Sequence, residues 1–582
     1  MSIIKKINEE LTEIFNNIGY EVEQVNLQPS GRKDLGDYQI NDAMTLAKKY
    51  HQNPREIAEK IKKELEKSNK FTNINIAGPG FINITFQDEF IYEFLNEINK
   101  DINNNIDKVA KKKVIIDYGG ANIAKALHVG HLRSANIGEA VKRLAKTLGY
   151  ETIGDVHFGD IGRQSGMVIS EIKRRNPNLA YFDDNYNGDY NDIDFDITED
   201  ELAEIYPTAS IKAKEDESIM EEVVEITKEL ETGHKGYTAL WNKIKEVSIK
   251  DIMGVYEKIN THFELLEGES DCYPYIKETV DILEKSNKLI DSEGAKIIDV
   301  KEETDTSPMP PLVVIKSNGA TLYATRELAT LYSRIKRFAP DEIWYFTDMR
   351  QQLYFEQVFR AAKKTNLVNE NVKLEWFGFG TMNGPDGKPF KTRDGGVMSL
   401  KELIKNIETE TSKKINKDIV IEEKAQETAE QIAIAALKYA DLIPFRTTDY
   451  IFDTNKFIDF EGKTGPYLLY STIRMKSLLN KAKDIKVEKI TKLKGESEKE
   501  IALTLLNLPI ILKKSLEVKS VNDIADFIYT LTSKYNKFYA ENKVLLEKDK
   551  LLQESWIILT SIVYNTNKLL LDILGLQVPE KM

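Results

Sequence analysis

The spacing of apolar positions divides the chain into three regions with different predicted secondary structure. In residues 1–108, the run FTNINIAGPGFINITF predicts two strands joined by a tight turn at Gly78-Pro79-Gly80. Helical periodicity covers residues 3–18, 40–50 and 54–68. The first region is therefore predicted to be a small α/β domain, and the polar residues 99–113 are predicted to be the linker after it.

The second region, residues 109–420, alternates strand and helix patterns. KVIIDYGG predicts a strand that ends at two glycines, a long amphipathic helix follows, and YETIGDVHFGD predicts the next strand. This order is typical of a parallel, nucleotide-binding α/β sheet. AKIIDV, PPLVVIKSNGATLYAT and DEIWYFTD predict that the same sheet continues. The acidic residues 183–202 are predicted to be an insertion loop that leads into helices over 206–265.

The third region, residues 421–582, is helical in period almost to its end. The predicted fold class is therefore α/β. A Rossmann-type domain with helical insertions stands between an N-terminal α/β domain and a C-terminal all-helical domain.

Composition narrows the functional classes. Cys272 is the only cysteine among 582 residues, which excludes a disulfide framework and any zinc site built from several cysteines. No stretch approaches eighteen uninterrupted apolar residues and the N-terminus lacks an apolar signal region, so we expect a cytoplasmic protein without a membrane span. The net charge of -13 argues against a protein that coats nucleic acid, although residues 471–494 are locally basic.

Two of the six histidines, His128 and His131, lie three residues apart where a helix is predicted to begin near Ala126. Unpaired backbone N–H groups and the helix dipole favour an anion at such a helix start, and imidazoles can donate to phosphate oxygens. Gly130 would let a base or ribose approach the backbone. The pattern indicates a nucleotide triphosphate site. A structural pair of histidines remains open, and a metal site fits less well because zinc helices use HExxH spacing.

The wider string IIDYGGANIAKALHVGHLRSANIGEAV resembles the first signature of class I aminoacyl-tRNA synthetases, and of arginyl-tRNA synthetases in particular. Residues 379–400, FGTMNGPDGKPFKTRDGGVMSL, resemble a degenerate form of the second signature, a basic catalytic loop. The resemblance implies catalytic roles for Lys388, Lys391 and Arg393. The loop lacks the usual second lysine, for which the lysine before the histidine motif, here Lys125, compensates in that family.

The reaction implied by the resemblance has two steps. The carboxylate of L-arginine attacks ATP to give arginyl-adenylate, and the 3'-terminal adenosine of arginine tRNA then accepts the arginyl group. Such catalysis rests on positioning and electrostatics. The resemblance further implies Mg²⁺ with ATP, no zinc, no other metal site, and a monomer that needs bound tRNA for activation.

Several polar residues are expected to bind arginine. A carboxylate at a strand end suits a cation, so Asp117 is expected to pair bidentately with the substrate guanidinium. By resemblance, Asn122 holds the α-amino or carboxylate group. GDVHFGDIGRQSG resembles the family stretch His-x-Gly-Asp-Trp-Gly-x-Gln, which places Asp160 and Gln164 near the substrate and has Ile161 in place of tryptophan.

Two later stretches complete the expected arginine site. GATLYATRELATL resembles the family element Tyr-x-Thr-x-Asp, in which Tyr323 and Glu327 would contact the guanidinium, with glutamate in place of aspartate. WYFTDMRQQLYFEQVF resembles the next strand and helix. There Gln351 is expected on the substrate side, and Tyr354 stands where many relatives have histidine. Taken singly, each of these residues could equally be structural.

The two ends of the chain resemble tRNA-binding domains. Residues 460–479 resemble the opening of the family's helical anticodon-binding domain, where Tyr467 and Arg474 could stack on bases and hold phosphates. INIAGPGFINI resembles the N-terminal domain that grips the tRNA elbow, and Phe81 and Asn83 occupy positions that touch a D-loop base in relatives.

Two alternatives stay open from the sequence. One is a cysteinyl or glutamyl enzyme of the same class, although a cysteinyl enzyme holds zinc through several cysteines. The other is a non-catalytic RNA-binding paralogue, which would be expected to have lost the HVGH or KPFKTR residues that this chain retains.

Overall fold

The computed structural model describes residues 1–317, 322–384, 386–388, 398–414 and 422–582. In its N-terminal part, helices pack on an antiparallel sheet with strand order β1-β2-β4-β3. The predicted hairpin is confirmed, since Ile74 of one strand pairs with Ile84 of the next. The elements are α1 (Ile3–Asn17), β1 (Gln28–Pro29), β2 (Tyr38–Ile40), α2 (Asp42–Tyr50), α3 (Pro54–Leu65), β3 (Phe71–Ala77), β4 (Phe81–Phe86) and α4 (Asp88–Lys100).

A parallel four-stranded sheet forms the centre of the molecule, as predicted. The sheet and the chain around it contain β5 (Lys113–Asp117), α5 (Val129–Leu148), β6 (Glu151–Asp155), β7 (Leu289–Ser292), β8 (Ala295–Ile298), β9 (Leu312–Ile315), α11 (Tyr323–Phe338), β10 (Glu342–Asp348), α12 (Gln352–Lys364) and β11 (Lys373–Phe379). The order β11-β10-β5-β6 turns back between β5 and β10. Ligands bind at the carboxyl ends of the strands beside such a reversal.

The expectation that residues 295–300 and 310–325 continue this sheet is wrong. β7, β8 and β9 form a separate antiparallel sheet. The physical reason is local: β7 and β8 are joined by Glu293 and Gly294, both with positive φ (50° and 82°), and this two-residue turn closes a hairpin rather than a crossover. Tyr323 begins helix α11 instead of lying in a strand.

Helical insertions follow β6. They are α6 (Arg163–Arg175), α7 (Glu199–Glu215), α8 (Glu217–Glu231), α9 (Lys235–Lys258) and α10 (Tyr273–Lys285). The helices that follow the acidic segment begin with α7 at Glu199, earlier than predicted, because Thr198 and Glu201 form a reciprocal capping box at that point. The acidic segment before it contains one short 3-10 turn, Tyr190–Asp192.

The remaining described residues are almost entirely helical, as predicted. The elements are β12 (Met382–Asn383), α13 (Leu400–Ser412), α14 (Glu422–Leu442), β13 (Tyr450–Ile451), α15 (Thr454–Phe457), α16 (Gly465–Lys481), α17 (Glu496–Leu506), α18 (Leu508–Val518), α19 (Asn522–Glu541) and α20 (Lys550–Ile573). The N-terminal part contacts this bundle, for example where the Tyr38 hydroxyl donates to Asn507 Oδ1 at 2.8 Å. Among the described helices, none is long and apolar enough to cross a membrane.

Candidate active site

The two predicted histidines cap helix α5, which begins at Val129 rather than near Ala126. His128 is the N-cap residue, and its Nδ1 accepts a hydrogen bond from the Gly130 N–H at 3.0 Å. The Nδ1 atom of His131 accepts in turn from the His128 N–H at 3.1 Å. The ring centroids lie 3.9 Å apart. The helix start is therefore capped by imidazoles in place of the usual Ser, Thr, Asp or Asn.

This capping fixes which ring nitrogen carries the proton. Because each Nδ1 accepts from the backbone, the proton of each neutral ring is on Nε2, which is left to donate outward. Burial is the main cause that lowers the pKa of His128, with Lys125 and Arg350 adding to it. Burial, assisted by His128 and Lys125, lowers the pKa of His131 to about 3. Both rings are therefore neutral hydrogen-bond donors near pH 7.

Gly130 leaves room for the capping histidine. A Cβ there would lie 2.8 Å from His128 Cε1, closer than side chains can pack, so the space that glycine leaves is filled by the folded-back imidazole. Upstream, Ala124 has φ of 57°, and its N–H donates to Ser248 Oγ at 3.0 Å. This strained residue immediately precedes Lys125 and directs the chain toward the helix start.

A cavity of about 760 Å³ opens beside the capped helix. Lys125, His128 and Gly130 line one side, and Arg350, Asn383 and Ser399 are among the residues on the other. The Lys125 ammonium lies 5.5 Å from the Tyr206 ring centroid, a cation–π contact with an insertion helix. Cationic side chains, the neutral His128 ring and a helix start thus meet around a space large enough for a nucleotide.

The basic loop is described only at its ends. Lys388 is exposed and follows β12, and the carbonyl of Lys388 accepts from the Gly384 N–H at 2.7 Å. At the C-terminal end of the loop, Ser399 forms an isolated antiparallel β-bridge with His128, and the Leu400 N–H donates to the Leu127 carbonyl at 2.8 Å. The predicted residues Lys391 and Arg393 lie outside the described residues.

Asp117 does not have the arrangement expected of it. Its Oδ2 accepts from Nη2 of the chain's own Arg334 at 2.6 Å, and Asp155 accepts from the same atom at 2.5 Å. An internal guanidinium from α11 therefore takes the place foreseen for the substrate. Asp117, Asp155 and His157 also offer ligand atoms within 4.8 Å of one another, and the Arg334 guanidinium already pairs with both carboxylates.

Asp160 and Gln164 both form hydrogen bonds within the protein, and their predicted place near the substrate stays a prediction. Both carboxylate oxygens of Asp160 are engaged, Oδ1 by the Ser270 N–H at 2.9 Å and Oδ2 by Lys245 Nζ at 2.5 Å. The Gln164 amide donates to the Ile123 carbonyl. These contacts hold the loops on either side of the site.

Asn122 is positioned by a glycine. It forms an isolated parallel bridge with Gly159, and a Cβ at Gly159 would collide with Asn122 Oδ1. The side chain therefore lies across Gly159, close to where β5 ends.

Polar groups without internal partners gather around Glu327. The Glu327 carboxylate is buried and accepts from the Tyr345 hydroxyl at 2.9 Å. Among the described residues, the buried Tyr354 hydroxyl and His157 Nδ1 have no hydrogen-bond partner. Burial lowers the pKa of His157, but the carboxylates of Asp117, Asp155 and Glu327 outweigh it and raise that pKa. Buried polar atoms left unpaired indicate a place for a polar ligand.

Sequence reasoning missed Glu269, which belongs to this cluster. Burial raises the pKa of its carboxyl group, while Arg326 and a hydrogen bond from Tyr323 oppose the shift. The Arg326 guanidinium lies 3.6 Å from the Glu269 carboxylate. We call Glu269, Tyr323, Glu327, Tyr354 and His157 the Glu327 cluster. The only signal for Glu269 was an acidic run, EGESD, between two helix patterns. Gln351 lies outside the cluster, on an exposed 3-10 turn after β10.

The predicted tRNA contacts divide between surface and interior. Arg474 lies over the Tyr539 ring at 4.8 Å and lines a cavity of about 490 Å³, and the Tyr467 hydroxyl accepts from Asn536 at 2.8 Å. Phe81 is half-buried. Asn83, in contrast, is 1% exposed, and its contact with a tRNA base stays a prediction.

Comparisons with known proteins agree over the whole length. The model described as "tRNA synthetases class I (R), catalytic domain" matches residues 94–454, "Arginyl tRNA synthetase N terminal domain" matches 1–86, and "DALR anticodon binding domain" matches 468–582. The chain is 43% identical over 585 residues to an arginine–tRNA ligase of Alkaliphilus oremlandii and 42% identical over 597 residues to one of Agathobacter rectalis, covering 100% of each chain. The arginyl-tRNA synthetase structure from Plasmodium falciparum is similar with a TM-score of 0.81 at 26% identity, covering 100% of this chain and 99% of that one.

Proposed function

The chain belongs to the arginyl-tRNA synthetase family, and from this premise we propose how its own residues carry out the reaction. Its reaction is the ATP-dependent ligation of L-arginine to arginine tRNA. The cysteinyl, glutamyl and non-catalytic alternatives are set aside, because the full-length relatives are named arginine–tRNA ligases. In the first step a carboxylate oxygen bonds to the α-phosphorus and pyrophosphate leaves. In the second, a ribose hydroxyl of the terminal adenosine displaces AMP.

ATP is proposed to lie in the cavity beside helix α5. The Nε2–H groups of His128 and His131 would donate to phosphate oxygens, and Lys125 and Lys388 would offset the charge that builds up as pyrophosphate leaves. By resemblance, Lys391 and Arg393 of the basic loop act with them. The supporting observation is the reciprocal cap, which commits both Nδ1 atoms and leaves both neutral rings as outward donors.

Arginine is proposed to place its guanidinium in the Glu327 cluster. Glu327 and Glu269 supply negative charge, and the unpartnered Tyr354 hydroxyl and His157 Nδ1 supply polar atoms that a guanidinium or an ordered water could satisfy. Asn122 would hold the α-amino or carboxylate group at the carboxyl end of β5. Asp117 acts through Arg334 and keeps the floor of the site rigid.

Mg²⁺ is proposed to enter with ATP. Among the described residues that line the cavity, Asp348 is the only carboxylate, and it pairs with Arg350 at 2.8 Å. Phosphate oxygens and water would therefore supply most of the Mg²⁺ ligands. No zinc is proposed. We further propose a cytoplasmic monomer with domains 1–108, 109–420 and 421–582. Phe81, Tyr467 and Arg474 would contact tRNA, and Gln351 would approach the substrate from the exposed turn after β10.

Charging of purified arginine tRNA with labelled arginine tests this function. ATP–pyrophosphate exchange with a panel of amino acids, run with the tRNA present, should respond to arginine alone. Exchange driven by another amino acid but not by arginine would overturn the assignment. The double variant His128→Ala/His131→Ala should lose aminoacylation while its tRNA affinity stays nearly unchanged, whereas equal loss of both would indicate that the pair is structural.

A further inference from the structure

Arg133 is a buried cation on the same helix as the two histidines. Its side chain is 1% exposed, and its Nε lies 2.9 Å from Asp441 Oδ1. Nη1 donates to the Thr448 carbonyl at 3.0 Å, and the guanidinium lies 5.1 Å from the centroid of the Tyr450 ring. One side chain of α5 thus contacts both α14 and the strand β13.

Asp441 completes the cluster from α14. Its Oδ2 accepts from Asn136 Nδ2 at 2.8 Å, and its Oδ1 accepts from the Tyr450 hydroxyl at 3.0 Å. The carboxylate is fully buried and satisfied. Among the described residues, Arg133 Nε and Nη2 have no hydrogen-bond partner. The contact with Asp441 is therefore an ion pair, and the guanidinium retains unused donors beside the cavity that Arg133 helps to line.

The cluster connects directly to the strand that precedes the basic loop. β13 pairs in parallel with β12, Tyr450 opposite Met382 and Ile451 opposite Asn383. The Phe452 N–H also donates to the Asn383 carbonyl at 2.9 Å. Asn383 lines the nucleotide cavity, and the turn that holds Lys388 begins at the next residue. Arg133 therefore sets the distance between the histidine-capped helix and the chain that carries Lys388.

Stability alone is a weak reason for such an ion pair. A buried pair can often be replaced by apolar residues of similar volume without loss of stability, because desolvation offsets the attraction. Buried charges are better suited to fixing one arrangement of packed elements, and catalysis is sensitive to such positioning. A misplacement of about 1 Å can cost about 100-fold in rate.

We propose that Arg133 is a positioning residue for adenylate formation. Held by Asp441, it fixes β13 and β12 against helix α5, so that Lys388 and the imidazole donors face the same phosphates. The proposal rests on the ATP site described above. It adds that α14, which leads into the helical C-terminal part, is mechanically tied to that site.

The test compares Arg133→Lys with Arg143→Lys. Arg143 lies on the same helix and also pairs with a buried carboxylate, Glu139, at 2.7 Å, although its own side chain is 16% exposed. Among the described residues, it has no contact with β12 or β13. For Arg133→Lys we expect turnover in ATP–pyrophosphate exchange to fall about 10- to 100-fold, with the KM for arginine and the Kd for tRNA changed less than about twofold. Arg143→Lys should lower Tm to a similar degree and leave turnover within about threefold.

Equal turnover losses in the two lysine variants, or loss of arginine and tRNA binding together with turnover, would overturn the proposal. If Arg133→Lys does not fold, Tyr450→Phe carries the test, because it removes the hydroxyl that contacts Asp441 Oδ1 and Met382 Sδ of β12 and keeps the ring beside Arg133. It should lower turnover about three- to tenfold without a change in KM for arginine, and unchanged turnover would contradict us. Failure of the ATP site itself would appear separately, as full exchange activity in the His128→Ala/His131→Ala variant.

Discussion

His128 has two separable functions in this account, and two substitutions divide them. Its Nδ1 caps helix α5 by accepting from the Gly130 N–H at 3.0 Å, and its Nε2–H is left to donate to phosphate. Asparagine places an acceptor where Nδ1 stands but has no atom at the position of Nε2. Glutamine places an amide N–H near the position of Nε2 but no acceptor near that of Nδ1. His128→Asn therefore removes the donor alone, and His128→Gln removes the cap alone.

The two substitutions are expected to affect different quantities, turnover in His128→Asn and stability in His128→Gln. Loss of one preorganised donor to a developing charge costs about 100- to 1,000-fold in turnover, and asparagine is among the best N-cap residues, so His128→Asn should keep the stability of the wild type. His128→Gln should lose about 0.5–2 kcal/mol of stability through the missing cap and retain turnover within about tenfold. Because burial keeps the pKa of His128 below its ordinary value, His128 should contribute no titration to turnover between about pH 7 and 8.

ATP–pyrophosphate exchange with arginine tRNA present measures turnover, and urea unfolding measures stability. Equal turnover in the two variants, or a more active asparagine variant, would refute the donor role. A fall in wild-type turnover as pH rises from about 7 to 8 that is absent from His128→Gln would show that the imidazolium of His128 is the active form instead.

Three further predictions concern charge. Glu269→Gln should raise the KM for arginine about 10- to 100-fold and leave the KM for ATP unchanged, since the amide keeps the shape but loses the charge; an unchanged KM for arginine would remove Glu269 from the pocket. Lys125→Ala should lower turnover far more than arginine affinity, and steady-state kinetics showing only a raised KM would contradict its role in the chemical step. Lys438 is buried and its pKa is lowered to about 7, mainly by burial. Because the unfolded chain binds this proton up to its ordinary pKa, wild-type stability should gain from this residue as pH rises from about 7 to 10. Lys438→Met should raise the free energy of unfolding at pH 7 by about 1–4 kcal/mol. Urea unfolding that shows this variant equally destabilised at about pH 7 and about pH 10 would contradict this.

The sequence predicted the site's position but not its internal pairing. KVIIDYGG and the helix after it were enough to place HVGH at the carboxyl edge of a parallel sheet, because strand and helix periods are local. The helix start was misplaced near Ala126, since imidazoles are not common N-cap residues and only the hydrogen bonds of His128 and His131 show the cap.

Residues whose partners lie far along the chain could not be assigned from sequence. Asp117 meets Arg334, 217 positions away, and Asp160 meets Ser270, 110 positions away. A carboxylate at a strand end has the same appearance in sequence whether it awaits a substrate cation or already holds an internal one. Glu269 could not be assigned to the site from sequence for the same reason.

The most direct test of the account is a crystal structure with arginine and a non-hydrolysable analogue of ATP. We predict phosphate oxygens within hydrogen-bond distance of Nε2 of His128 and His131, and the arginine guanidinium between Glu327 and Glu269. A nucleotide bound elsewhere, with both rings closed off by apolar side chains, or a guanidinium paired with neither glutamate, would contradict the account.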